Sequence, residues 1–481
     1  MTSQATQAGI AGRFLELLGA KGVVQGPDME RYLVDWRGIS RGRALLVARP
    51  DTTEQVSRVV GLCNELQLPI YVQGGNTSLC QGAIPGSSET AILLSTERMD
   101  KILEIDAVGN AVAVQSGVVL SRLHEAVARV QRKFPLSLGA EGTAQIGGLI
   151  ATNAGGIAAL RYGSMRQMVL GLEVVLPDGS VVRRMAALHK DNRGLDWKQL
   201  FVGSEGTLGI ITEASLKLHP QTHTGLTALL AVPTVEAAVA CFQRLQARFD
   251  THLSACEIIN QAEVELALAH ISDTQFPFPE VPHYCVLFDL ADADAARDFS
   301  QDAETCLMEL IEAECACDAV ICKNGREADA LWHLRHALPE ANKLGGLAVM
   351  FDVSARLSRL AAFTEAAEKA ANADAPSGRA VFMGHLGDGN LHWNWMLPKG
   401  TDSLEAAPLI ARIRAAVNDV LAAQGGSFSA EHGIGRKHVG DLDLSLPPEE
   451  IKLMRSLKQA LDPDNLFSPG VMFAGPPSID A

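Results

Sequence analysis

The sequence predicts an α+β chain with two main domains, and three observations carry that expectation. Short apolar runs alternate with amphipathic helical patterns along the whole length. At Pro220 the texture changes, from Gly-rich strand segments to long helices rich in Ala, Leu and Glu. The composition is that of a globular protein with ample core: 481 residues, 47% hydrophobic and 20% charged.

The elements follow in order. Residues 10–35 read as an amphipathic helix and an irregular stretch, so 1–39 form a lead-in. LLVARP (45–50) is a strand stopped by Pro50. In TTEQVSRVVGLCNEL (52–66), a Thr caps the start and Val56, Val59, Val60 and Cys63 share one helical face. IYVQ (70–73) is a strand that runs into Gly74-Gly75. Strands at 91–95, 102–106 and 111–117 precede a helix at 119–131. VLGLEVVLPDGSVVRR (169–184) reads as a hairpin turning at Pro177-Asp178-Gly179, and 208–220 as a further strand pair. Residues 40–220 make the first domain and 221–481 the second. In the second, strands are expected at 226–232, 284–290 and 349–354, and helices near 235–248, 292–314, 325–342, 356–372 and 406–423.

Charge and cysteine usage narrow the function. Forty-one basic against 56 acidic residues give a net charge of −15, which repels a phosphate backbone and excludes a general nucleic-acid binder. An anionic substrate would need a specific cation or metal to receive it. The nine Cys are odd in number and scattered, no secretory signal is visible, and no apolar run reaches the ~18 residues of a membrane span. A reduced, cytoplasmic protein is therefore expected. Cys315, Cys317 and Cys322 match no zinc or iron–sulfur spacing and read as ordinary thiols.

Three segments make unusual backbone demands. The first is Gly74-Gly75-Asn76-Thr77-Ser78, where two glycines after a strand leave N–H groups free to converge on an anion. The second holds Gly142-Thr143, Gly147-Gly148 and Asn153-Ala154-Gly155-Gly156. The third runs Gly203-Ser204-Glu205-Gly206-Thr207-Leu208-Gly209-Ile210. Any one could be an ordinary turn; together they suggest a large ligand laid across several loops, such as a dinucleotide. No G-x-G-x-x-G or P-loop is present, so a different fold must hold it.

PDTTEQV, QGGNTSL, GGLIATNAGG, VLGLEVVLPDG and GSEGTLGIIT, in this order, resemble the FAD-binding domain of the vanillyl-alcohol oxidase/p-cresol methylhydroxylase flavoproteins. The resemblance implies a two-part domain with the FAD pyrophosphate on Gly74–Ser78. It implies Gly142, Thr143, Asn153, Gly155 and Gly156 along the ribityl chain and flavin, and Glu205, Gly206, Gly209 and Ile210 completing the adenine and diphosphate side. Relatives often carry Gly where this chain has Ser78, which is tolerable if φ there is negative. The loop holds no His, so FAD is expected to bind non-covalently.

A second cluster lies near the C-terminus. His385 and His392 sit in GHLGDGNLH, and Glu431-His432 in AEHGIG. Two imidazoles and a carboxylate suit a divalent metal with open positions. The spacing of the two His fits a loop entering a strand, whose alternation puts His392 and Asn394 on one face and Trp393 on the other. With LKQALDPDNLFSPG (457–470), these motifs resemble the C-terminal domain of FAD-linked D-2-hydroxyacid dehydrogenases, a group that includes D-lactate and D-2-hydroxyglutarate dehydrogenases and the flavin subunit of glycolate oxidase. The resemblance implies zinc or manganese on His385, His392 and Glu431, His432 as catalytic base, Asn394 as a substrate contact, and Arg335 facing the substrate carboxylate.

Two departures bear on the substrate. Members specific for 2-hydroxyglutarate tend to carry a Lys where this chain has Met350, and a hydroxyl residue where it has Pro339. The expectation is therefore a D-2-hydroxy acid with a small or apolar side chain, such as D-lactate; Lys343 or His336 reaching the site would favour a dicarboxylate. A zinc hydrolase on the same ligands stays open but leaves the glycine loops unexplained, and a flavin subunit of a larger complex also stays open. The electron acceptor is a quinone, an electron-transfer flavoprotein or a cytochrome, and a homodimer is the default assembly.

Overall fold

The computed structural model describes residues 4–86 and 91–474, which fall into two compact units. The first takes residues 1–155, 163–221 and 431–481; the second takes 156–162 and 222–430.

Two larger sheets and a two-stranded one build the first unit. One orders β1 (Val23–Val24), β2 (Leu46–Ala48), β3 (Ile70–Gln73) and β4 (Ile92–Ser95) as β1-β2-β4-β3, with β2, β4 and β3 parallel. The helix Thr53–Leu66 makes the crossover from β2 to β3. Thr52 caps it by accepting from the Gln55 N–H, and Val56, Val59, Val60 and Cys63 are buried on one face. The other sheet is antiparallel and orders β5 (Ile102–Asp106), β6 (Ala111–Gln115), β8 (Val169–Val175), β9 (Val181–Arg184) and β10 (Ile210–Lys217) as β5-β6-β10-β8-β9. Between them in the chain, β7 (Arg132–Lys133) pairs with β11 (His219–Pro220). The 169–184 hairpin turns where expected, with Gly179 at φ 83°. The expected strand pair in 208–220 is instead one long central strand, β10, followed by the two-residue β11. It carries no internal turn because both its edges are taken, by β6 and β8.

The helix Gln4–Leu18 buries Ile10 and Phe14 in the same core as Leu46, Ile70, Ile92 and Phe467. The lead-in is thus part of the first unit, and so is the C-terminal segment, where the division differs from the one at 220 read from the sequence. Two observations account for it. Backbone bonds from Ile70 N–H to Leu466 O and from Ser468 N–H to Ile70 O tie the tail to β3. Lys458, in the helix Pro448–Leu461, donates to Thr207 O and Phe467 O at 2.8 Å each and pairs with Asp462.

The second unit is an antiparallel sheet of β12 (Thr224–Val232), β13 (Leu253–Asn260), β14 (Tyr284–Asp292), β15 (Asp318–Ile321), β16 (Ala348–Met350), β18 (Arg379–His385) and β19 (Asn390–Met396). Its order is β15-β12-β14-β13-β18-β19-β16, with β17 (Val353–Ser354) also on β19. On one face, Trp393, Trp395, Phe382 and Phe288 pack with the helices Val235–Phe249, Ser300–Glu312, Leu360–Asp374 and Ala407–Ala423. On the other, Val381, Met383 and Met396 pack with the helices Gln261–His270 and Gly325–Gly345. Alternation along β19 puts His392 and Asn394 on the second face, as read from the sequence, and Asn390 with them. β13, β15 and β18 were not expected. β13 was hidden by Glu257, which interrupts its apolar run.

Candidate active site

In the first unit, β3 ends at Gln73 and hands the chain to Gly74–Ser78. A Cβ on Gly75 would stand 2.0 Å from the Thr143 carbonyl oxygen, and one on Gly74 would stand 3.4 Å from Gln145 Cβ. At position 75 only glycine therefore lets this loop lie against the segment 143–148, while a Cβ at position 74 would make an ordinary contact. Asn76 sits at φ 54° and donates from Nδ2 to Val34 O at 2.7 Å. Ser78 is not among the residues with positive φ, and its Oγ accepts from the Cys80 N–H at 3.3 Å. The serine thus fits without strain. Cβ atoms added to Gly142, Gly148 or Gly155 would meet nothing within 4 Å. This is open space beside bare backbone, which suits a cradle for a bound dinucleotide.

The other expected cofactor residues divide by side chain. Thr143 donates from Oγ1 to Ala140 O. Asn153, at φ 49°, accepts from Ser164 Oγ and Arg166 N–H at 2.9 Å each. Gly156 opens the short segment that belongs to the second unit. Glu205 accepts from the Ile434 and Gly435 N–H groups at 2.7 and 2.8 Å, so its carboxylate holds the loop that follows His432. Burial raises its pKa, and these two amides partly restore it. Gly209 is wedged where a Cβ would lie 2.6 Å from Val174 Cγ1, and Ile210 is a core residue. Glu205 and Ile210 therefore leave only backbone for a ligand, as does Gly206, at φ 73°.

On the second face of the large sheet, polar groups cluster where apolar ones would be expected. Glu257 of β13 stands opposite His385 of β18. It accepts from His385 Nδ1 on Oε1 at 2.6 Å, and from Arg335 Nε and Nη2 on Oε2 at 2.7 and 2.6 Å. Arg335 lies on the helix Gly325–Gly345 and is 5% exposed. Burial would raise the Glu257 pKa, but the neighbouring His385 and Arg335, with their hydrogen bonds, bring it down to about 2. The His385 and His392 rings stand edge to face, 5.7 Å apart. Asp352 is 3.8 Å from His392 Nδ1 and accepts from Asn390 Nδ2 at 2.9 Å. Its carbonyl accepts from the Ala430 N–H, which fixes the backbone one residue before Glu431. His385, His392 and Glu431 each offer a ligand atom, and these atoms all lie within 4.8 Å of one another. Two imidazoles and a carboxylate at that spacing fit a divalent metal with positions left open. His432 follows in sequence, its Nε2 3.5 Å from Glu431 Oε1. Asn394 is buried opposite Met350, which is 42% exposed.

Sequence reasoning missed Glu257 and Asp352. The available signal was a lone acid within an apolar strand run, LSACEIIN for the first and MFDV for the second. A charge placed there needs a partner.

Comparison with known proteins draws these parts together. Residues 44–184 match the FAD binding domain family, and residues 223–472 match FAD linked oxidases, C-terminal domain. This chain belongs to the FAD-linked oxidases. It binds FAD and is an oxidoreductase that acts on CH–OH donors. Among its relatives is the mitochondrial D-2-hydroxyglutarate dehydrogenase of Bos taurus, 37% identical over 93% of this chain and 80% of that protein. Another is the D-2-hydroxyglutarate dehydrogenase of Xanthomonas citri pv. viticola, 35% identical over 93% of each chain. A third is the D-2-hydroxyglutarate–pyruvate transhydrogenase of Saccharomyces cerevisiae, 31% identical over 92% and 90%. The fold is shared with p-cresol methylhydroxylase solved with substrate bound, at a TM-score of 0.76, 18% identity and 98% coverage of both chains.

Proposed function

We propose that this oxidase converts a D-2-hydroxy acid to the 2-oxo acid, using non-covalent FAD and a divalent ion, zinc or manganese, held by His385, His392 and Glu431. The observation that carries the reading is the convergence of those three ligand atoms within 4.8 Å, with His385 and His392 on the sheet face that also bears Asn394 and packs against the helix of Arg335. Oxidising an alcohol removes the O–H proton and a hydride from the same carbon. When bound, FAD supplies the hydride acceptor and the ion a Lewis acid that acidifies the hydroxyl. His432 takes the hydroxyl proton, as an imidazole is suited to do. Arg335 receives the carboxylate on the donors that Glu257 leaves, and Asn394 orients the substrate by hydrogen bonding.

The side chain of the substrate is small or apolar, D-lactate being the simplest case. Met350 stands opposite Asn394 in the strand register, and Pro339 follows Arg335 by one helical turn. Neither offers a hydrogen bond to a second carboxylate, and leaving one unpaired costs ~1–3 kcal/mol or more. A second reading, D-2-hydroxyglutarate, is favoured by the names of the relatives in cattle and Xanthomonas. Electrons leave to a quinone, an electron-transfer flavoprotein or a cytochrome, in a cytoplasmic and homodimeric enzyme.

The test of the base is His432→Ala. The variant should retain FAD, seen by its visible absorbance, while substrate no longer bleaches it. Bleaching at the wild-type rate would refute the assignment.

A further inference from the structure

We propose that Glu257 is a positioning residue that serves the metal site and the substrate-carboxylate site at once, through one buried carboxylate. The proposal rests on reading His385 as a metal ligand and Arg335 as the carboxylate receptor, and it adds what makes each competent.

The geometry assigns one oxygen to each duty. Oε1 takes His385 Nδ1 at 2.6 Å, and Oε2 takes Arg335 Nε and Nη2 at 2.7 and 2.6 Å. All three side chains are buried, Glu257 to within 1% of full burial. An ionised carboxylate accepts and does not donate, so the proton on His385 must sit on Nδ1. The lone pair is then on Nε2, the nitrogen that would ligate a metal. A carboxylate behind a ligating imidazole also makes it a stronger donor.

Arg335 is fixed by the same anion. Its Nε–Nη2 edge is occupied, so in this proposal Nη1 is the nitrogen that meets a substrate carboxylate. The substrate carboxylate is received end-on by a guanidinium already locked in place. β13 supplies the rigid support, because it is hydrogen bonded on both sides, to β14 and β18.

Glu257→Gln keeps the shape and removes the second acceptor. Gln offers one oxygen and one NH2, and both faces of the position hold donors. If the NH2 faces His385, that ring must present an acceptor at Nδ1 and carry its proton on Nε2, which blocks ligation. If it faces Arg335, donor meets donor and the guanidinium swings away.

The experiment titrates zinc and manganese into chelator-treated, FAD-loaded wild type and Glu257→Gln, reading dissociation constants by calorimetry. Steady-state kinetics with a D-2-hydroxy acid follow at saturating metal. Expected are unchanged FAD content and either metal affinity at least tenfold weaker or KM raised at least tenfold with a smaller change in kcat. Glu257→Asp retains the charge and should recover part of the deficit; it replaces Gln if that variant fails to fold. Metal affinity and KM both within twofold of wild type would overturn the proposal. Wild type that binds neither metal would overturn the metal reading instead, and the KM comparison would then decide on Glu257 alone.

Discussion

Glu263 is the group whose ionisation should shape stability against pH most visibly. It lies in the helix Gln261–His270, fully buried, and accepts from Asn342 Nδ2 on Oε1 at 2.7 Å. Its Oε2 and the Asn342 Oδ1 are both buried acceptors without a hydrogen bond. A proton on the carboxyl turns one of these acceptors into a donor, so the neutral acid suits the site better than the anion. Burial raises the pKa from 4.5 to about 8, against the Asn342 hydrogen bond and the charge of Arg335, which lower it. The folded pKa lies above the unfolded one, so between the two values only the folded chain holds the proton. Stability from this group is complete below pH 4.5 and is lost progressively as pH rises towards 8. At about 1.4 kcal/mol per pH unit, the step from pH 6 to pH 8 should remove ~2–3 kcal/mol. Glu263→Gln mimics the neutral acid: its oxygen accepts from Asn342 and its NH2 donates to the Asn342 oxygen. Urea unfolding of the FAD-loaded wild type and variant at both pH values isolates the effect, since all other groups are common to both. The variant should gain ~2–3 kcal/mol over wild type across that interval. Parallel pH dependences would show that Glu263 is ionised in the fold and refute the reasoning.

Other predictions test other parts. Gly75→Ala places a methyl 2.0 Å from the Thr143 oxygen, so the loop must move; FAD content after purification, read from visible absorbance per protein, should fall several-fold. Lys458→Met leaves Asp462 buried with only the Leu466 and Phe467 amides to balance it, and should destabilise by ~3–5 kcal/mol, lowering the thermal midpoint. Chelation should abolish substrate-driven flavin reduction without releasing FAD, and zinc or manganese should restore it; reduction that survives complete metal removal would count against the metal.

What could be read from the sequence follows from how local each signal is. The Thr52 cap, the Pro177-Asp178-Gly179 turn and the alternation of His392, Trp393 and Asn394 depend on neighbours a few residues away, and all appear in the structure. β13 was lost because its register with β18 puts Glu257 opposite His385, a pairing 128 residues apart that makes an otherwise costly charge affordable. Arg335 was read as facing a substrate, and the sequence held no sign that the distant Glu257 also pairs with it. The return of the tail to the first core was equally hidden, since Leu466 and Phe467 bury against β3, roughly four hundred positions earlier. Glu205 looked like a ligand-facing acid within a glycine loop, and its two partners come from the 434–435 backbone.

Anaerobic mixing of the FAD- and metal-loaded enzyme with D- and L-forms of lactate, longer apolar 2-hydroxy acids and 2-hydroxyglutarate tests the central claim most directly. The account predicts rapid bleaching of the flavin by D-isomers alone, with D-lactate or a longer apolar acid faster than D-2-hydroxyglutarate. Faster bleaching by D-2-hydroxyglutarate would contradict the side-chain preference drawn from Met350 and Pro339. No bleaching by any D-2-hydroxy acid would contradict the proposed function itself.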